Sequence, residues 1–379
     1  MSYKKDTSLL LFDNEYIEVE KEDYGRIESP YDPEKISVNS QILTIDLLIK
    51  RLKEEEIDLS PEFQRFDDIW KPKNKSRLIE SLIIRIPIPA VYFDARDEEN
   101  WKVIDGLQRL SILKEFVIDE EWELTDLEFL KKYEGYKWNQ LPRKFQRRIE
   151  ETQLTAYIIE KDTPDEVTFT IFRRVNTGGS PLTAQEIRHA LNSQKSREFL
   201  VELSEMEEFK LNVNLSSRRI RRMEDREFIL RFIAFMLNDP MEYNSKRSFD
   251  DFLNRAMKQM EQESDSHLER LKENFCKSQI SARKIFGDDA FRKISKDQER
   301  KSPLNKAIYE AWSVNLAKIS DDERKVLEQN REELKQKFII LLEDDDFIKS
   351  VSQATGVSAS IETRFGKIEQ IINEILGKQ

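Results

Sequence analysis

The spacing of apolar residues changes several times between residues 36 and 191. Some segments repeat apolar positions every three or four residues, as helices do, and others concentrate them in short runs, as buried strands do. Helices are predicted over Ile42–Glu55, Lys75–Ile84 (beginning near Asn74 or Ser76), Gln108–Phe116 and Asp165–Val175, and strands over Ile88–Asp94, Trp101–Ile104 and Thr152–Ile159. Because helices and strands interleave, we expect this part of the chain to be α/β or α+β.

Beyond residue 195 the pattern becomes almost entirely helical. Helices are predicted over Asp225–Leu237, Phe249–Ile285, Asp321–Leu342 and Ile361–Leu376. Residues 1–35 are acidic and irregular, and Ser29-Pro30 and Asp32-Pro33 are typical of turns. We therefore expect an N-terminal arm (1–35), an α/β domain (36–195) and a mainly α-helical C-terminal domain (196–379).

Composition excludes several classes of protein. The 22 Phe and 5 Trp supply ample core material, so we expect a folded chain although 36% of its residues are charged. The single cysteine, Cys276, cannot form a disulfide within the chain, which fits a reducing compartment. With no apolar leader and no membrane-length apolar stretch, we expect a cytoplasmic protein without membrane contact. Two histidines, His189 and His267, are too few for a zinc site built from Cys and His or for a convincing HNH-type nuclease module.

The net charge of −11 repels nucleic acid on average, yet two clusters are basic. The first, residues 143–148, is interpreted as an exposed helix, with DNA contact as the alternative. The second contains Arg218, Arg219, Arg221 and Arg222. These four arginines are candidate contacts to DNA phosphates, and an equally good reading makes them a solvated face that balances nearby Glu224 and Asp225.

Candidate chemistry concentrates where a predicted strand ends in Asp105-Gly106 and a helix follows directly. Gly106 allows a ligand to approach the backbone closely, and Arg109, one turn into the helix, has donors that suit phosphate oxygens. Asp105 could hold a metal ion or position a water. An ordinary strand–turn–helix connection with a surface arginine explains the same residues, since Asp-Gly is common in turns.

Two further segments carry polar residues of the kind that bind nucleotides. Gln64 and Arg65 follow an extended stretch, although the plainer interpretation is that the aromatic residues around them are core anchors and that Gln64 and Arg65 lie at the rim. The other segment runs from Phe172 to Arg188 and contains Asn176 ahead of two glycines, a loop type that can bind an anion. Thr183 and Glu186 have the spacing of a capping box, so the structural role of Glu186 is the plainer one.

In this order and spacing, the three segments resemble the family called domain of unknown function 262. This is the GmrS-like N-terminal domain of GmrSD-type modification-dependent restriction systems, related to the ParB/sulfiredoxin-like fold. The family's usual motif is Asp-Gly-Gln-Gln-Arg, and here Leu107 replaces the first glutamine. The resemblance rests on Pro61, Phe63, Gln64, Arg65, Trp70, Leu78, Ile79, Ser81, Pro87, Ile88, Pro89, Asp105, Gly106, Gln108, Arg109, Leu110, Phe172, Arg174, Asn176, Gly179, Leu182, Glu186, Arg188 and Ala190.

The resemblance implies an α+β fold with a ParB/sulfiredoxin-like core, and a nucleoside triphosphate bound with Mg²⁺ and hydrolysed in prokaryotic, anti-phage defence. In this hypothesis Asp105 coordinates Mg²⁺ or orients water, and positive side chains neutralise phosphate charge. The catalytic candidates are Asp105 and Arg109. The candidate nucleotide-binding residues are Gln64, Arg65, Gly106, Gln108, Asn176 and Arg188.

Two other functions remain open from the sequence. The chain could be a DNA-binding sensor of modified DNA without NTPase activity, in which case the arginines near residue 220 would produce salt-dependent affinity. It could also be a ParB-like metal-dependent nuclease, which would need Asp105 together with Glu62 or Glu186. No HNH-type module is recognisable, so the chain either works with a separate nuclease or defence partner or is a stand-alone nucleotide-dependent factor. We expect DNA as a partner, and the helical half is suited to forming a homo-oligomer.

Overall fold

The structure is a computed structural model that describes residues 17–18, 36–59, 70–161, 163–175, 182–244, 248–295 and 301–378. The chain divides into two compact units. The sheet unit is Tyr31–Leu191, and the helical unit combines Met1–Pro30 with Asn192–Gln379. The predicted boundary after residue 195 falls at the start of the first helix of the helical unit, which begins at Gln194.

Helices and strands alternate along the sheet unit. Within its described residues the strands are β1 (Val38–Thr44), β2 (Ile57–Asp58), β3 (Val91–Asp94), β4 (Trp101–Asp105) and β5 (Gln153–Ile159). The helices are α1 (Ile45–Lys53), α2 (Pro72–Ile83), α3 (Leu107–Leu113), α4 (Arg143–Glu150), α5 (Asp165–Val175) and α6 (Ala184–Leu191), and a π-helical turn, Lys114–Ile118, continues α3.

The five strands form one mixed sheet in the order β1-β5-β3-β4-β2. The pairs β1–β5 and β3–β4 are antiparallel, whereas β3–β5 and β2–β4 are parallel. The register shifts between Tyr92 and Phe93, so that Tyr92 lies opposite Asp105 while Phe93 lies opposite Val103. This irregularity lies beside the end of β4, where it brings the start of β3 next to Asp105.

The two faces of the sheet are covered by different helices. Alternate side chains, including Val91 and Phe93, point into a large apolar cluster shared with α1, α2, α3 and α4. On the other face, Ile104 and Ile159 pack with side chains of α5 and α6 in a smaller cluster. Strands β3, β4 and β5 therefore contribute to both clusters, which explains their short, nearly continuous apolar runs.

The helical unit is built around one continuous apolar core. Its described helices are α7 (Gln194–Ser204), α8 (Glu207–Asn212), α9 (Ser217–Arg221), α10 (Glu224–Leu237), α11 (Phe249–Gln262), α12 (Asp265–Phe286), α13 (Lys306–Lys318), α14 (Asp321–Gln329), α15 (Arg331–Leu341), α16 (Asp345–Ser350) and α17 (Ser358–Leu376). Every residue of α13 from Ala307 to Ala317 is buried, so α13 forms the centre of this unit. Of the N-terminal arm, Ile17 and Glu18 are described, and Ile17 forms a β-bridge with Leu304.

The predicted fold class is confirmed, with a mixed α/β N-terminal unit and a mainly helical C-terminal unit. Several predicted bounds were wrong. Residues 42–44 belong to β1, because the Thr44 side chain caps α1 by accepting a hydrogen bond from the amide of Leu47. The long pattern ending at Ile285 is two helices, since Ser264 caps α12, and the pattern over residues 321–342 breaks at Asn330.

The prediction for α2 was wrong at its start. The helix begins at Pro72, which fits the first turn because proline lacks the amide that would lie unbonded there. Ser76, a predicted cap, lies inside the helix, and its hydroxyl accepts a hydrogen bond from the amide of Thr125 at 2.9 Å. Among the described helices, none has the length and apolar character needed to cross a membrane.

Candidate functional site

The turn between β4 and α3 requires glycine at position 106. Gly106 has φ +100°, a left-handed conformation that residues with a Cβ rarely adopt. A Cβ at this position would also lie 2.5 Å from Cγ1 of Val91, far inside van der Waals contact. The sequence Asp-Gly therefore closes a tight connection in which the strand end, the helix start and β3 are packed together.

Arg109 holds this connection from the first turn of α3. Its guanidinium donates hydrogen bonds to the carbonyl oxygens of Pro89 and Ala90, the latter at 3.0 Å, and to Oδ2 of Asp105 at 2.8 Å. The side chain is only 11% exposed, and this burial lowers the pKa of the guanidinium, while Asp105 opposes that shift. In this structure Arg109 therefore serves the protein's own acceptors, and direct contact with phosphate stays a prediction.

Asp105 is more accessible than its partner. Its side chain is 32% exposed, and among the described residues only Arg109 forms a hydrogen bond or ion pair with it. That bond engages Oδ2. The exposed side chain of Gln108 lies on the adjoining turn of α3. The site thus presents a fixed carboxylate beside an exposed amide.

Two tyrosines that the sequence analysis did not select lie next to Asp105. Tyr92 is opposite Asp105 across β3–β4 and beside Tyr157 across β3–β5. The tyrosine rings are stacked, with centroids 4.7 Å apart and planes inclined by 21°. Partial burial, Tyr157 and Asp105 together raise the pKa of Tyr92. The alternation of buried and less buried positions along β3 and β5 could have placed each tyrosine on one face of its strand. The sequence contained no signal that these two strands pair, so it could not show that the tyrosines stack.

Helix α6 contains the end of the predicted segment from Phe172 to Arg188, and it packs on the face of the sheet that carries Tyr92. Thr183 and Glu186 form the predicted capping box, with the Thr183 amide donating to Glu186 at 2.6 Å and the Glu186 amide donating to the Thr183 hydroxyl at 3.1 Å. Leu182, Ala184 and Tyr92 all pack at the margin of the smaller apolar cluster. The start of α6 and the start of β3 therefore border one region.

Arg188 lies on the buried side of α6. Its guanidinium donates to the side-chain oxygen of Gln185 at 3.3 Å and lies over the ring of Phe169, 5.7 Å from the ring centroid. The Arg188 side chain is therefore buried between α6 and α5 and does not project into solvent. A role for Arg188 in closing a nucleotide site stays a prediction.

Comparison with known proteins finds a family model that matches part of the chain. Residues 46–193 match the family model described as "GmrSD restriction endonuclease, N-terminal domain". Over this range the chain is similar to that family. The matched range contains Asp105, Gly106 and Arg109 together with Tyr92 and Tyr157.

Two further comparisons were with solved structures and with curated proteins. The chain is similar to a solved structure titled as a Pnob8-like ParB-N domain, with 12% identity over 90% of this chain and 98% of that one. The TM-score is 0.23, and similarity at that level carries no argument about the arrangement of the elements. No curated protein matches the chain significantly.

Several predicted site residues lie outside the described residues. These are Glu62, Gln64, Arg65 and Asn176. Across the described ranges, no group of three or more His, Cys, Asp or Glu side chains could hold a metal ion. Glu186, the second carboxylate of the nuclease hypothesis, is 3% exposed and bonded in the cap.

The predicted DNA-binding arginines lie on and just after α9, in the helical unit. Arg218 and Arg221 are exposed, whereas Arg219 forms an ion pair with Glu224 at 2.6 Å and Arg222 is half-buried. The exposed arginines fit the predicted DNA contact, and the ion pair with Glu224 fits the predicted balance of charges, so the structure is compatible with both interpretations. The other cluster is the predicted helix, α4, anchored through buried Phe145 and Ile149.

Proposed function

We propose that the chain is a nucleotide-dependent component of a DNA restriction system, in which the GmrSD N-terminal domain binds and hydrolyses a nucleoside triphosphate at the Asp105–Arg109 turn. The observation that carries this proposal is the family match over residues 46–193, which includes that turn. The family's description supports the link to restriction. The proposal that the ligand is a nucleotide rests on the Asp105 carboxylate and its ion pair with Arg109 in the turn.

Asp105 suits Mg²⁺ that is shared with phosphate oxygens. Magnesium in nucleotide sites keeps several waters and takes one or two carboxylates besides the phosphates, so a single aspartate is compatible with it. When bound, the ion would offset the charge that develops on the phosphates. The ion pair with Arg109 holds Oδ2, so Oδ1 is the atom of Asp105 that we expect to face Mg²⁺ or an attacking water.

Arg109 acts in this proposal mainly by positioning Asp105. Its donors could turn to a phosphate only by leaving the carbonyl groups of Pro89 and Ala90. A buried guanidinium that already has good acceptors gains little from such an exchange. Neutralisation of the phosphates is therefore assigned to Mg²⁺ and to Arg65, which the family resemblance of the sequence includes among the candidate nucleotide-binding residues.

Calorimetric titration of the full chain with ATP, GTP, CTP and UTP in the presence of Mg²⁺ tests the proposal. We expect at least one nucleotide to bind, and Asp105→Asn to weaken binding at least tenfold. Asp97→Asn is the matched control, because Asp97 is an exposed carboxylate in the β3–β4 loop of the same domain. The proposal fails if the wild-type chain binds no nucleotide, or if both variants bind like the wild type.

Hydrolysis and its link to DNA are tested in the same samples. Release of inorganic phosphate should depend on Asp105, and addition of DNA should raise the rate if hydrolysis serves restriction. Cleavage of the DNA itself is expected from a separate nuclease. Phosphate release at the same rate from Asp105→Asn would assign hydrolysis to another site.

DNA binding through α9 is a second candidate function, favoured by the exposure of Arg218 and Arg221. Each phosphate contact that is lost should reduce the dependence of affinity on salt by about one unit of slope. The double variant Arg218→Gln/Arg221→Gln should therefore bind DNA more weakly and with a shallower slope. Lys144→Gln, which removes an exposed charge of α4, is the control, and equal slopes for both variants would contradict the assignment.

A further inference from the structure

We propose that Tyr92 and Tyr157 form a platform on which the nucleobase of the bound nucleotide stacks. This inference rests on the proposed nucleotide binding and goes further, because it assigns the ligand's base and not only its phosphates to a place on the sheet. It predicts that the site prefers a nucleoside triphosphate to an inorganic polyphosphate. The ligand chemistry is an aromatic heterocycle joined to a phosphate chain.

The register of the sheet places both rings on one face. Tyr92 and Tyr157 are paired in register on the parallel strands β3 and β5, so their side chains project to the same side. The rings lie 4.7 Å apart and are nearly parallel. Each ring covers one side of the other, so a third aromatic ring can stack on either outer side of the pair. Such a surface binds any of the nucleobases, because every base has a flat aromatic face.

The stacked pair lies beside the carboxylate proposed to hold Mg²⁺. Asp105 is opposite Tyr92 in the β3–β4 pair, and neighbouring strands are about 5 Å apart. Phosphates held near Asp105 would therefore leave the base of the same nucleotide within reach of the rings.

The face of the sheet is open beyond the tyrosines. Both rings are half-buried, and the smaller apolar cluster covers the face on the side of Ile104 and Ile159. In the opposite direction Thr155 is exposed, and Ile42, its partner on β1, is 68% exposed. Among the described residues the platform thus lies at the border between a covered and an open part of the sheet, where a planar ligand can approach.

A purely structural role would predict a different pattern of effects. Aromatic pairs across neighbouring strands stabilise a sheet by about 0.2–1 kcal/mol, whatever the ligand. Loss of such a pair would lower stability and would affect all ligands of the site alike. A base-stacking role changes affinity only for ligands that carry a base.

The experiment compares inorganic tripolyphosphate with whichever of ATP, GTP, CTP and UTP binds most tightly, both titrated with Mg²⁺ into the full chain. Wild-type protein should bind the nucleotide at least tenfold more tightly. Tyr92→Leu and Tyr157→Leu should each weaken nucleotide binding about tenfold, the effect of losing one stacked base contact, and leave tripolyphosphate binding unchanged. Tyr92→Phe and Tyr157→Phe keep the ring and should bind like the wild type.

Tyr136→Leu is the matched control. Tyr136 is also a half-buried tyrosine of the sheet unit and packs edge-on against Tyr133, with centroids 5.5 Å apart. Its loss should leave the ratio of the two affinities unchanged, and melting curves confirm that each variant is folded.

Equal affinity of the wild type for nucleotide and tripolyphosphate overturns the base platform while the phosphate site stands. The same holds if the leucine variants weaken both ligands alike or neither. Absence of binding to both ligands overturns the proposed function and this inference together.

Discussion

Arg109 Nη2 and Asp105 Oδ2 lie 2.8 Å apart and join the first turn of α3 to the last residue of β4. The same guanidinium donates to the carbonyl oxygens of Pro89 and Ala90, just before β3. One side chain thus connects a strand end, a helix start and the approach to the neighbouring strand. The motif Asp-Gly-x-Gln-Arg is therefore a structural unit as well as a candidate binding site.

Replacement of Arg109 should affect stability before any ligand is added. Arg109→Ala leaves two carbonyl groups and the Asp105 carboxylate without their donor, which should lower the free energy of unfolding by about 2 kcal/mol. Arg109→Lys keeps the charge but cannot form the same set of bonds, so we expect an intermediate loss. Urea unfolding measures both, and an Arg109→Ala midpoint equal to that of the wild type would show that the bonds contribute nothing.

Gly106→Ala should be more damaging than the same substitution at another left-handed glycine. At Gly106 the added methyl group meets both an unfavourable φ and the side chain of Val91, whereas Gly135, at φ +81°, has no atom within 4 Å of the added carbon. We expect a loss of about 1 kcal/mol for Gly135→Ala and roughly 2–3 kcal/mol for Gly106→Ala. Comparable unfolding midpoints for the two variants would contradict the close packing of Gly106 against Val91.

Asp225 should make the helical unit sensitive to pH. Burial raises the pKa of this carboxyl group from 3.8 to about 6, although backbone hydrogen bonds and the charge of Arg226 oppose the shift and Glu205 adds to it. A group whose pKa is higher in the folded protein binds protons more tightly there. Its contribution to stability is thus fully present below 3.8, the unfolded value, and is lost as the pH rises through about 6.

Asp225→Asn tests this dependence. The pKa difference corresponds to roughly 3 kcal/mol, so the wild type should lose about that amount, relative to the variant, between about pH 4 and about pH 7. Urea unfolding at several pH values gives both curves. Parallel curves across this range would mean that Asp225 titrates as it does in the unfolded chain.

Glu310 should be one of the most sensitive positions in the helical unit. This fully buried carboxylate accepts hydrogen bonds from Arg364 and from Arg231, the latter at 3.3 Å. Glu310→Gln leaves two buried arginines without their shared counter-charge, which should lower the free energy of unfolding by about 3–5 kcal/mol. Glu269→Gln, whose exposed side chain lies 3.6 Å from Lys272, is the control and should cost less than about 1 kcal/mol. Similar losses in both variants would contradict the role of burial.

The sequence predicted the class of the fold and the position of its most informative turn. Apolar periodicity found α5 at its observed bounds, and the strand ending at Asp105 and the helix following Gly106 were predicted in place. It missed breaks within long helical patterns, at Ser264 and Asn330, because apolar spacing continues across a single capping residue. It also passed over α13, whose polar residues are buried together with its apolar ones.

The chain's own sequence determined which residues are available to the site, since Asp105, Gly106 and Arg109 are neighbours along one strand–turn–helix. Tertiary structure alone decided what these residues touch. Two of the acceptors of Arg109 come from residues 89 and 90, and the stacked tyrosines, which are 65 residues apart in sequence, come from β3 and β5. Periodicity reports which side of a strand a residue occupies, but only the pairing of strands decides which residue stands beside it, because that depends on the whole sheet.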